Sequence, residues 1–393
     1  MVKIPLHLPE QIPKNNLSVM TIGILKETTG ENRVAMLPES VATLVKMNVS
    51  MLVEAGAGLT AYASDKDYEE AGAKIVAKAN VIAGADVLIK IQPPTSEEIA
   101  LMKDGQVIMA VLNPYFNTDL VKALAAKNIT GFSMDVVPRT SRAQAMDILS
   151  SMATVAGYKA VLTAANTLPK FFPMFMTAAG TIKPANMLIL GAGVAGLQAI
   201  ATSRKLGAVV YVFDVRAAVK EEVVGLGGKF VEVEGALDDK AAGGYAVEQT
   251  DEFKARQAQA IHDQAVKSDV VICTAQIPGR KAPLLLKKET VEAMKPGSVI
   301  IDLAASTGGN CELTKDNETI VHTGVKIIGN SQFPTDMPTD ASRMYGKNMI
   351  NFLKLIITKE GALNLNWEDD IVKGTAVTHG KEIVHERVKA AIG

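Results

Sequence analysis

Short apolar segments alternate with segments of helical spacing along the first third of the chain. Helical spacing covers residues 39–46 and 119–127, where apolar side chains recur every three or four positions. This alternation is typical of βαβ units, in which helices cover a parallel sheet. The remaining apolar segments predict buried strands at residues 20–25, 49–54, 85–91, 106–112 and 130–134.

Two long helical segments divide the chain. Residues 141–166 contain no proline and predict one continuous helix, whereas three prolines interrupt residues 167–185. A second long helix is predicted at residues 340–358. Between the two helices, a second series of strands is predicted at residues 187–190, 209–213, 229–233, 270–274, 299–302 and 325–328.

This organisation predicts an α/β protein with two Rossmann-like domains that contain parallel sheets. We expect the second domain to be inserted in the first, with the two long helices joining them. A cleft between such domains is a usual ligand site. The predicted parts are an N-terminal extension at 1–19, a first domain at 20–146 plus 340–393, and a second domain at 147–339.

Composition narrows the class of protein. The 393 residues are 48% hydrophobic, which is enough for folded cores. Lys and Arg number 41 against 42 Asp and Glu, so the chain lacks the basic excess that a sequence-independent nucleic-acid binder needs. Its two cysteines, Cys273 and Cys311, form neither a disulfide framework nor a four-ligand zinc site by themselves. We expect no metal site and a reducing compartment.

No segment has the pattern of a membrane anchor or an export signal. Prolines and Glu10 interrupt the leader, which argues against a signal peptide. The longest apolar stretch, residues 186–213, contains Arg204, Lys205 and several glycines, and it predicts strand, turn and helix. We therefore expect no direct membrane insertion.

The strongest local motif is a glycine-rich turn between a predicted strand and a predicted helix. It reads GAGVAG, with Gly191, Gly193, Val194 and Gly196 in the phosphate-binding pattern. In a dinucleotide-binding unit, the first glycine permits a tight turn, the second lets backbone approach a pyrophosphate, and the third allows close helix packing. The helix N-terminus then offers free N–H groups to the phosphates. The alternative is a turn that serves packing alone.

An acidic residue ends the next predicted strand. Asp214 lies 23 residues after Gly191, an offset at which a carboxylate accepts hydrogen bonds from ribose hydroxyls and repels a 2′-phosphate. The pattern therefore favours NAD over NADP. Arg216 complicates this preference, because a nearby arginine accommodates a 2′-phosphate.

Several segments closely resemble the NAD(H)-binding component of proton-translocating nicotinamide nucleotide transhydrogenase. The resemblance runs from about residue 20 to the C-terminus, and residues 26–39 are shared with the related alanine dehydrogenases. It rests on PRTSRAQAMDILSS at 138–151, on residues 191–198 and 214–220, on AGGY at 242–245, and on KPGSVIID at 295–302.

This resemblance implies two Rossmann-like domains with NAD(H) in the cleft between them. It implies hydride transfer from NADH to NADP+, which is held on a separate NADP(H)-binding component. This transfer is implied to be coupled to proton translocation through a membrane-spanning component. It also implies a cytoplasmic homodimer that is peripheral at the inner membrane through these partners. Hydride transfer needs two rings in position and no acid or base from the protein.

The resemblance also implies roles for individual residues. Arg139, Gln144, Asp147 and Ser150 are implied to be catalytic, around the nicotinamide and its ribose; a helix start with solvated polar side chains is the alternative. The implied cofactor-binding residues are Arg139, Thr140, Ser141, Arg142, Gln144, Asp147, Ser150, Gly191, Gly193, Val194, Gly196, Asp214, Val215, Arg216, Gly244, Tyr245, Gln257, Thr274, Ala275 and Gln276.

The polar residues 232–257 predict a flap. The resemblance implies that it closes over bound nucleotide with Tyr245 at its tip, after Gly243 and Gly244; the alternative is an ordinary surface loop. At another edge of the cleft, Gln276 stands where relatives carry an apolar residue, so its assignment is weaker than that of Thr274.

Alanine dehydrogenase chemistry is the first alternative function. Such an enzyme needs a proton-transfer group beside the nicotinamide, and its histidine and aspartate align with Val111 and Ser306 here. Lys90 and Arg33 remain at positions that hold the substrate carboxylate in those enzymes, with domain packing as the alternative reading. The missing acid–base pair disfavours oxidative deamination. A non-catalytic NAD-binding protein is the second alternative.

Overall fold

The computed structural model describes residues 19–235, 249–277 and 280–392, in which the strands form two large sheets and one hairpin. The strands are β1 (Thr21–Ile24), β2 (Ser50–Glu54), β3 (Lys74–Val76), β4 (Val87–Ile89), β5 (Val107–Ala110), β6 (Thr130–Ser133), β7 (Phe175–Thr177), β8 (Gly180–Ile182), β9 (Asn186–Leu190), β10 (Val209–Phe213), β11 (Lys229–Phe230), β12 (Val270–Cys273), β13 (Val299–Asp302), β14 (Glu318–His322), β15 (Val325–Gly329), β16 (Ala376–His379) and β17 (Glu382–Ile383).

Helices connect most of these strands and cover both sheets. They are α1 (Pro38–Val45), α2 (Asp65–Glu70), α3 (Lys78–Gly84), α4 (Ser96–Leu101), α5 (Thr118–Ala126), α6 (Ile148–Thr167), α7 (Val194–Lys205), α8 (Lys220–Gly225), α9 (Asp251–Ala265), α10 (Lys288–Ala293), α11 (Pro338–Ile356), α12 (Asp370–Thr375) and α13 (Glu386–Ile392).

The first sheet combines both ends of the described chain. Its strand order is β17-β16-β6-β5-β4-β1-β2-β3, parallel except for β16 and β17. Both faces are buried: Val87 and Ile89 belong to one core cluster, and Leu88 between them belongs to another. We call this sheet and its helices the first lobe. Strand β16, from the C-terminal tail, pairs with β6 of this lobe.

The second sheet is formed by the strands between α6 and α11. Its order is β11-β10-β9-β12-β13-β15-β14, parallel except for the edge strand β14. We call it, with its helices, the second lobe. The predicted class of two Rossmann-like α/β units with parallel-dominated sheets is confirmed. The exact domain boundaries at residues 147 and 339 stay predictions.

The first long helix differs from the sequence prediction. Residues Ser141–Met146 form a 3-10 helix, Asp147 has extended backbone angles, and the α-helix begins at Ile148. The continuous helix predicted at 141–166 is therefore wrong at its start. The physical reason is local: the Asp147 side chain accepts a hydrogen bond from the Ser150 N–H, so it caps a new helix.

Edge strands account for several other differences. The strand predicted at 229–233 shortens to β11, and the antiparallel β14 and short β3 were not predicted. Edge strands bury less apolar surface than central ones, so their sequences carry a weaker alternating or continuous apolar pattern. Central strands such as β10 and β13 match their predicted bounds at both ends.

Helix α6 contacts both lobes. It packs against α7 in the second lobe and against α11, whose apolar face lies in the first-lobe core. A Cβ atom added at Gly157 would lie 2.2 Å from the Ala195 carbonyl oxygen, so α6 and α7 approach as closely as backbones allow. We call residues 139–147, which precede α6, the polar loop. Gly157 lies seven residues after Ser150, so the first turn of α6 lies about 10 Å along the helix axis from this contact.

Candidate functional site

The glycine-rich turn joins β9 to α7 and has two glycines that the fold requires. Gly191 has φ +99°, and a Cβ there would lie 2.6 Å from the Thr274 Oγ1 atom. A Cβ at Gly196 would lie 2.0 Å from the Gly191 carbonyl oxygen. These contacts explain the first and third glycines of the motif by backbone geometry and packing alone.

The middle glycine is different. Gly193 is exposed, has φ −76°, and a Cβ added there would meet no described atom within 4 Å. Neither backbone strain nor internal packing therefore requires glycine at this position. The open space lies at the N-terminus of the twelve-residue α7, where N–H groups and the helix dipole favour an anionic group. The turn thus fits a pyrophosphate that approaches the backbone closely.

Asp214 follows β10 beside this turn and uses both of its carboxylate oxygens. Oδ2 accepts hydrogen bonds from the Ala192 N–H at 2.7 Å and from Arg216 Nη2 at 2.7 Å. Oδ1 accepts from the backbone N–H and from Nε of Arg216, both at 2.9 Å. The predicted ribose acceptor is therefore tied both to the glycine-rich turn and to Arg216, while Val215 between them is half-buried.

A second loop approaches the turn after β12. Thr274 donates its hydroxyl to the carbonyl oxygens of Leu190 and Gly191, at 3.1 and 3.0 Å. Ala275 donates its N–H to Asn310 Oδ1 at 3.0 Å, and Gln276 donates its amide to the Leu303 carbonyl at 3.0 Å. The three residues therefore lie together at the carboxyl ends of the strands of the second sheet, where open α/β sheets bind ligands.

Two buried residues that sequence reasoning missed hold this second loop. Asn310 is fully buried, and its amide donates to the carbonyls of Ala275 and Pro283. Asp302 accepts hydrogen bonds from the Asn310 N–H, the Cys311 N–H and the Thr314 hydroxyl, while burial raises the pKa of its carboxyl. For Asn310 the only signal in the sequence was the GGN triplet after β13, which carries no recognisable chemistry, and Asp302 ends the KPGSVIID segment without an assigned role.

The polar loop lies before α6 and presents an exposed glutamine. Thr140 caps the 3-10 helix by accepting the Ala143 N–H, and Ser141 is exposed. Gln144 is exposed and its side chain forms no hydrogen bond with any described residue. Both its amide N–H donors and its carbonyl acceptor are thus available to a ligand.

Asp147 and Ser150 bind each other at the start of α6. The Ser150 N–H donates to Asp147 Oδ1 at 3.0 Å, and the Ser150 hydroxyl donates to Asp147 Oδ2 at 2.6 Å. The alternative reading of a capped helix start is thus present in the structure, with Asp147 as the cap. Roles for the two residues at a nicotinamide stay predictions.

Arg142 points to a different partner from the one expected for a cofactor-binding residue. Its guanidinium donates to both oxygens of Asp369, at 2.6 and 2.7 Å, and also to Asp370. This hydrogen-bonded ion pair holds the pKa of Asp369 at about 2. Arg142 therefore ties the polar loop to the first turn of α12, whereas Arg139 is exposed at the start of the loop.

The remaining predicted positions are less informative. Gln257 lies half-buried on α9. Gly244 and Tyr245, the tip of the predicted flap, lie outside the described residues. No group of three or more His, Cys, Asp or Glu side chains that could hold a metal occurs within the described ranges.

At the positions shared with alanine dehydrogenases, the two cations Lys90 and Arg33 form ion pairs within this chain, and Val111 and Ser306 stand where an acid–base pair would be needed. Lys90 is fully buried and its ammonium lies 2.8 Å from Glu98 Oε2. Burial would raise the pKa of Glu98, but hydrogen bonds from Lys90 and Thr95 outweigh it and lower that pKa. Arg33 binds both oxygens of Glu31. The domain-packing interpretation of these two cations agrees with these contacts.

A cavity of about 550 Å³ lies between the lobes on another side of α6. It is lined by residues that follow β1, β2 and β15, and by Lys159 of α6. Among the residues that the structure describes, those lining this cavity include none of the predicted NAD(H) residues. By length and composition alone, α6 is the one helix of the described chain that could cross a membrane, yet α6 packs against α7, α11 and strands of the second sheet.

A two-lobed α/β protein with an open glycine-rich turn belongs, as a class, to the dinucleotide-binding proteins. Two family models match this chain: the alanine dehydrogenase/PNT N-terminal domain at residues 23–156 and its C-terminal domain at residues 160–386. The chain belongs to the alanine dehydrogenase/PNT family. The resemblance seen in the sequence is confirmed.

Several relatives within this family are named as transhydrogenases. A relative from Rhodospirillum rubrum, named as the first part of an NAD(P) transhydrogenase alpha subunit, is 47% identical, over 93% of this chain and 98% of the relative. A solved transhydrogenase structure from Sinorhizobium meliloti superposes with a TM-score of 0.85 at 43% identity, over 93% of this chain and 100% of that one. An L-alanine dehydrogenase structure has a TM-score of 0.77 at 25% identity, over 95% and 99% of the two chains.

Proposed function

We propose that this chain is the NAD(H)-binding component of a proton-translocating transhydrogenase. NAD(H), when bound, supplies or accepts a hydride at its nicotinamide ring. The observation that carries the proposal is the exposed Gln144 side chain, which is unbonded within the described residues and lies in a loop anchored to α6. Its amide can both donate and accept, so it can orient a carboxamide without proton transfer.

The other residues bind and orient the dinucleotide in this proposal. The open space at Gly193 and the N-terminus of α7 receive the pyrophosphate, and Asp214 accepts a ribose hydroxyl. Thr274, Ala275 and Gln276 border the cleft from β12. The protein contributes proximity and orientation, which are sufficient for hydride transfer between two aligned rings.

The finer parts of the proposal concern the partners. NADP(H) is held on a separate component, and a membrane-spanning component carries the protons. Through these partners the chain acts at the cytoplasmic face of the inner membrane. A homodimer is supported by the hairpin β7–β8 and the segment before it, where Phe171, Phe175 and Met176 are exposed. The Phe171 and Phe175 rings lie 4.6 Å apart, and contiguous exposed apolar side chains mark an interaction surface.

The testing experiment supplies NADH, an oxidised NAD analogue and NADP(H) as the hydride carrier, and it measures reduction of the analogue with and without an NADP(H)-binding transhydrogenase component. Partner-dependent transfer is the expected result. Alanine-dependent reduction of NAD without the partner would instead support the amino-acid dehydrogenase, and NADH binding without either reaction would support a non-catalytic protein. Sedimentation of the unsubstituted protein and of Met176→Asp tests the homodimer, which the charge should dissociate.

A further inference from the structure

Two amide side chains from α11 bind one backbone carbonyl of the polar loop. The Ala145 carbonyl oxygen accepts hydrogen bonds from Asn348 Nδ2 at 2.8 Å and from Asn351 Nδ2 at 3.0 Å. A carbonyl oxygen has two lone pairs, so these two donors fill its capacity. Asn348 is buried at 6% exposure and Asn351 is half-buried. The loop is thereby fixed to a helix that belongs to the first-lobe core.

The bound carbonyl is adjacent to Gln144 in a 3-10 helix. Ala143 and Met146 are buried in the first-lobe core, whereas Gln144 is exposed. Side chains three residues apart eclipse in a 3-10 helix, so Ser141 and Gln144 share one face while Ala143 and Met146 share another. Fixing the backbone at Ala145 therefore fixes the direction in which Gln144 projects.

Stability alone does not explain the buried asparagine. The Oδ1 atom of Asn348 is buried and has no hydrogen-bond partner within the described residues. An unpartnered buried amide oxygen destabilises the folded state, so a leucine of similar size removes that cost while also removing the bond to Ala145. An asparagine at this position is explained if holding the loop matters more than the stability of the helix packing.

The other tie of the loop is weaker. Arg142 binds Asp369 and Asp370, but its side chain is 49% exposed and that of Asp370 is 68% exposed, whereas Asp369 is 14% exposed. Exposed ion pairs contribute little to stability. The buried amide of Asn348 and the half-buried amide of Asn351 are therefore the side-chain ties that bond directly to Ala145.

We propose that Asn348 and Asn351 are positioning residues for hydride transfer, acting through the Ala145 carbonyl on the placement of Gln144. This inference rests on the proposed transhydrogenase function. Neither residue needs to touch the dinucleotide. A reacting group displaced by about 1 Å loses about a hundredfold in rate, so a loosened loop should slow transfer more than it weakens NADH binding.

The experiment compares Asn348→Leu, Asn351→Ala and the double variant with a matched control. Gln106→Leu is that control, because Gln106 is also a buried amide that donates to two carbonyls, those of Ile82 and Ala85. It precedes the central strand β5, so it lies at the opposite end of the parallel strands from the polar loop, which follows β6. Thermal unfolding, NADH titration and hydride transfer to the NADP(H)-binding component are measured for each protein.

We expect kcat to fall about tenfold in Asn348→Leu and further in the double variant, with the NADH Kd changing less than about threefold. Gln106→Leu should lose stability without losing kcat. Asn348→Asp adds a pH readout: its ionised carboxylate cannot donate to Ala145, whereas the protonated acid can. Activity relative to the unsubstituted protein should therefore recover as the pH falls.

Unchanged kcat in Asn351→Ala and the double variant would overturn the inference, as would an equal kcat loss in Gln106→Leu. Asn351→Ala keeps the test decisive if Asn348→Leu does not fold, because Asn351 is only half-buried. If the unsubstituted protein transfers no hydride to the partner component, the proposed function fails and the inference fails with it.

Discussion

Arg216 occupies the acceptor sites of Asp214. Within the described residues, the Asp214 carboxylate accepts three hydrogen bonds from Arg216 and a fourth from the Ala192 N–H of the glycine-rich turn. A carboxylate has about four lone-pair sites, so Asp214 has reached its capacity. A ribose hydroxyl can bind there only when the Arg216 side chain releases one of them.

Asp214→Ala should therefore weaken NADH about tenfold, since it removes both the ribose acceptor and the bond to the turn. Arg216→Ala should leave NADH affinity equal or higher, because it frees acceptor sites on Asp214, and it should weaken NADPH. Fluorescence titration with both nucleotides measures these effects. Unchanged NADH affinity in Asp214→Ala would remove this residue from the ribose site.

Glycine substitutions in the turn separate binding from folding. Gly193→Ala places its methyl group in open space with an ordinary φ, so thermal stability should stay within about 0.5 kcal/mol. The same methyl group should obstruct the pyrophosphate and weaken NADH at least about tenfold. Gly196→Ala is the matched control, because its Cβ would lie 2.0 Å from the Gly191 carbonyl oxygen and should destabilise folding. Tight NADH binding by Gly193→Ala would contradict the phosphate assignment.

Gln144→Asn should impair hydride transfer far more than NADH binding. The shorter side chain keeps the amide chemistry and withdraws it by one methylene group, so orientation is lost while most contacts remain. Single-turnover transfer and NADH titration measure the two quantities on the same protein. Equal losses in both would assign Gln144 to binding alone.

The helix cap at Asp147 has its own test. Asp147→Ala should cost about 1 kcal/mol of stability because the Ser150 N–H loses its acceptor. Asp147→Asn retains a good cap, so unfolding should return to that of the unsubstituted protein. If Asp147 also binds the nicotinamide ribose as an anion, NADH affinity should stay reduced in Asp147→Asn; full recovery of affinity would make it a cap only.

Glu27 predicts a pH dependence of stability. Burial raises the pKa of its carboxyl to about 7, although Ile91 and Gln92 each donate a backbone N–H to it. The unfolded chain ionises this group near pH 4.5 and the folded chain only near pH 7, so raising the pH between these values favours unfolding. The difference corresponds to a loss of about 3 kcal/mol, complete once the pH exceeds the folded pKa.

Urea unfolding of the unsubstituted protein and of Glu27→Gln from pH 4.5 to about pH 8 measures this contribution. Other acids titrate in both proteins, so the informative quantity is the difference between the two free energies of unfolding. That difference should fall as the pH rises to about 7 and stay level above it. Parallel curves would contradict the raised pKa.

The sequence predicted those features that depend on local pattern. Central strands such as β10 and β13 have continuous apolar sequences, and the GAGVAG turn carries its own backbone requirements. The break at Asp147 was missed because helical spacing continues on both sides of it. Gly157, Asn310 and Asn348 were missed because their contacts come from distant parts of the chain, and an isolated glycine or asparagine carries no local signal.

The return of α11 and β16 to the first lobe has a consequence for assembly of the molecule during synthesis. Tyr345, Phe352 and Leu353 are wholly inside the first-lobe core, yet they emerge from the ribosome after the entire second sheet. The strands of the second lobe can therefore pair while the first lobe still lacks the side chains that α11 contributes to its core. The first lobe is therefore synthesised first but completes its core last. Chains that terminate between the second sheet and the end of α11 should expose this incomplete apolar core and bind chaperones.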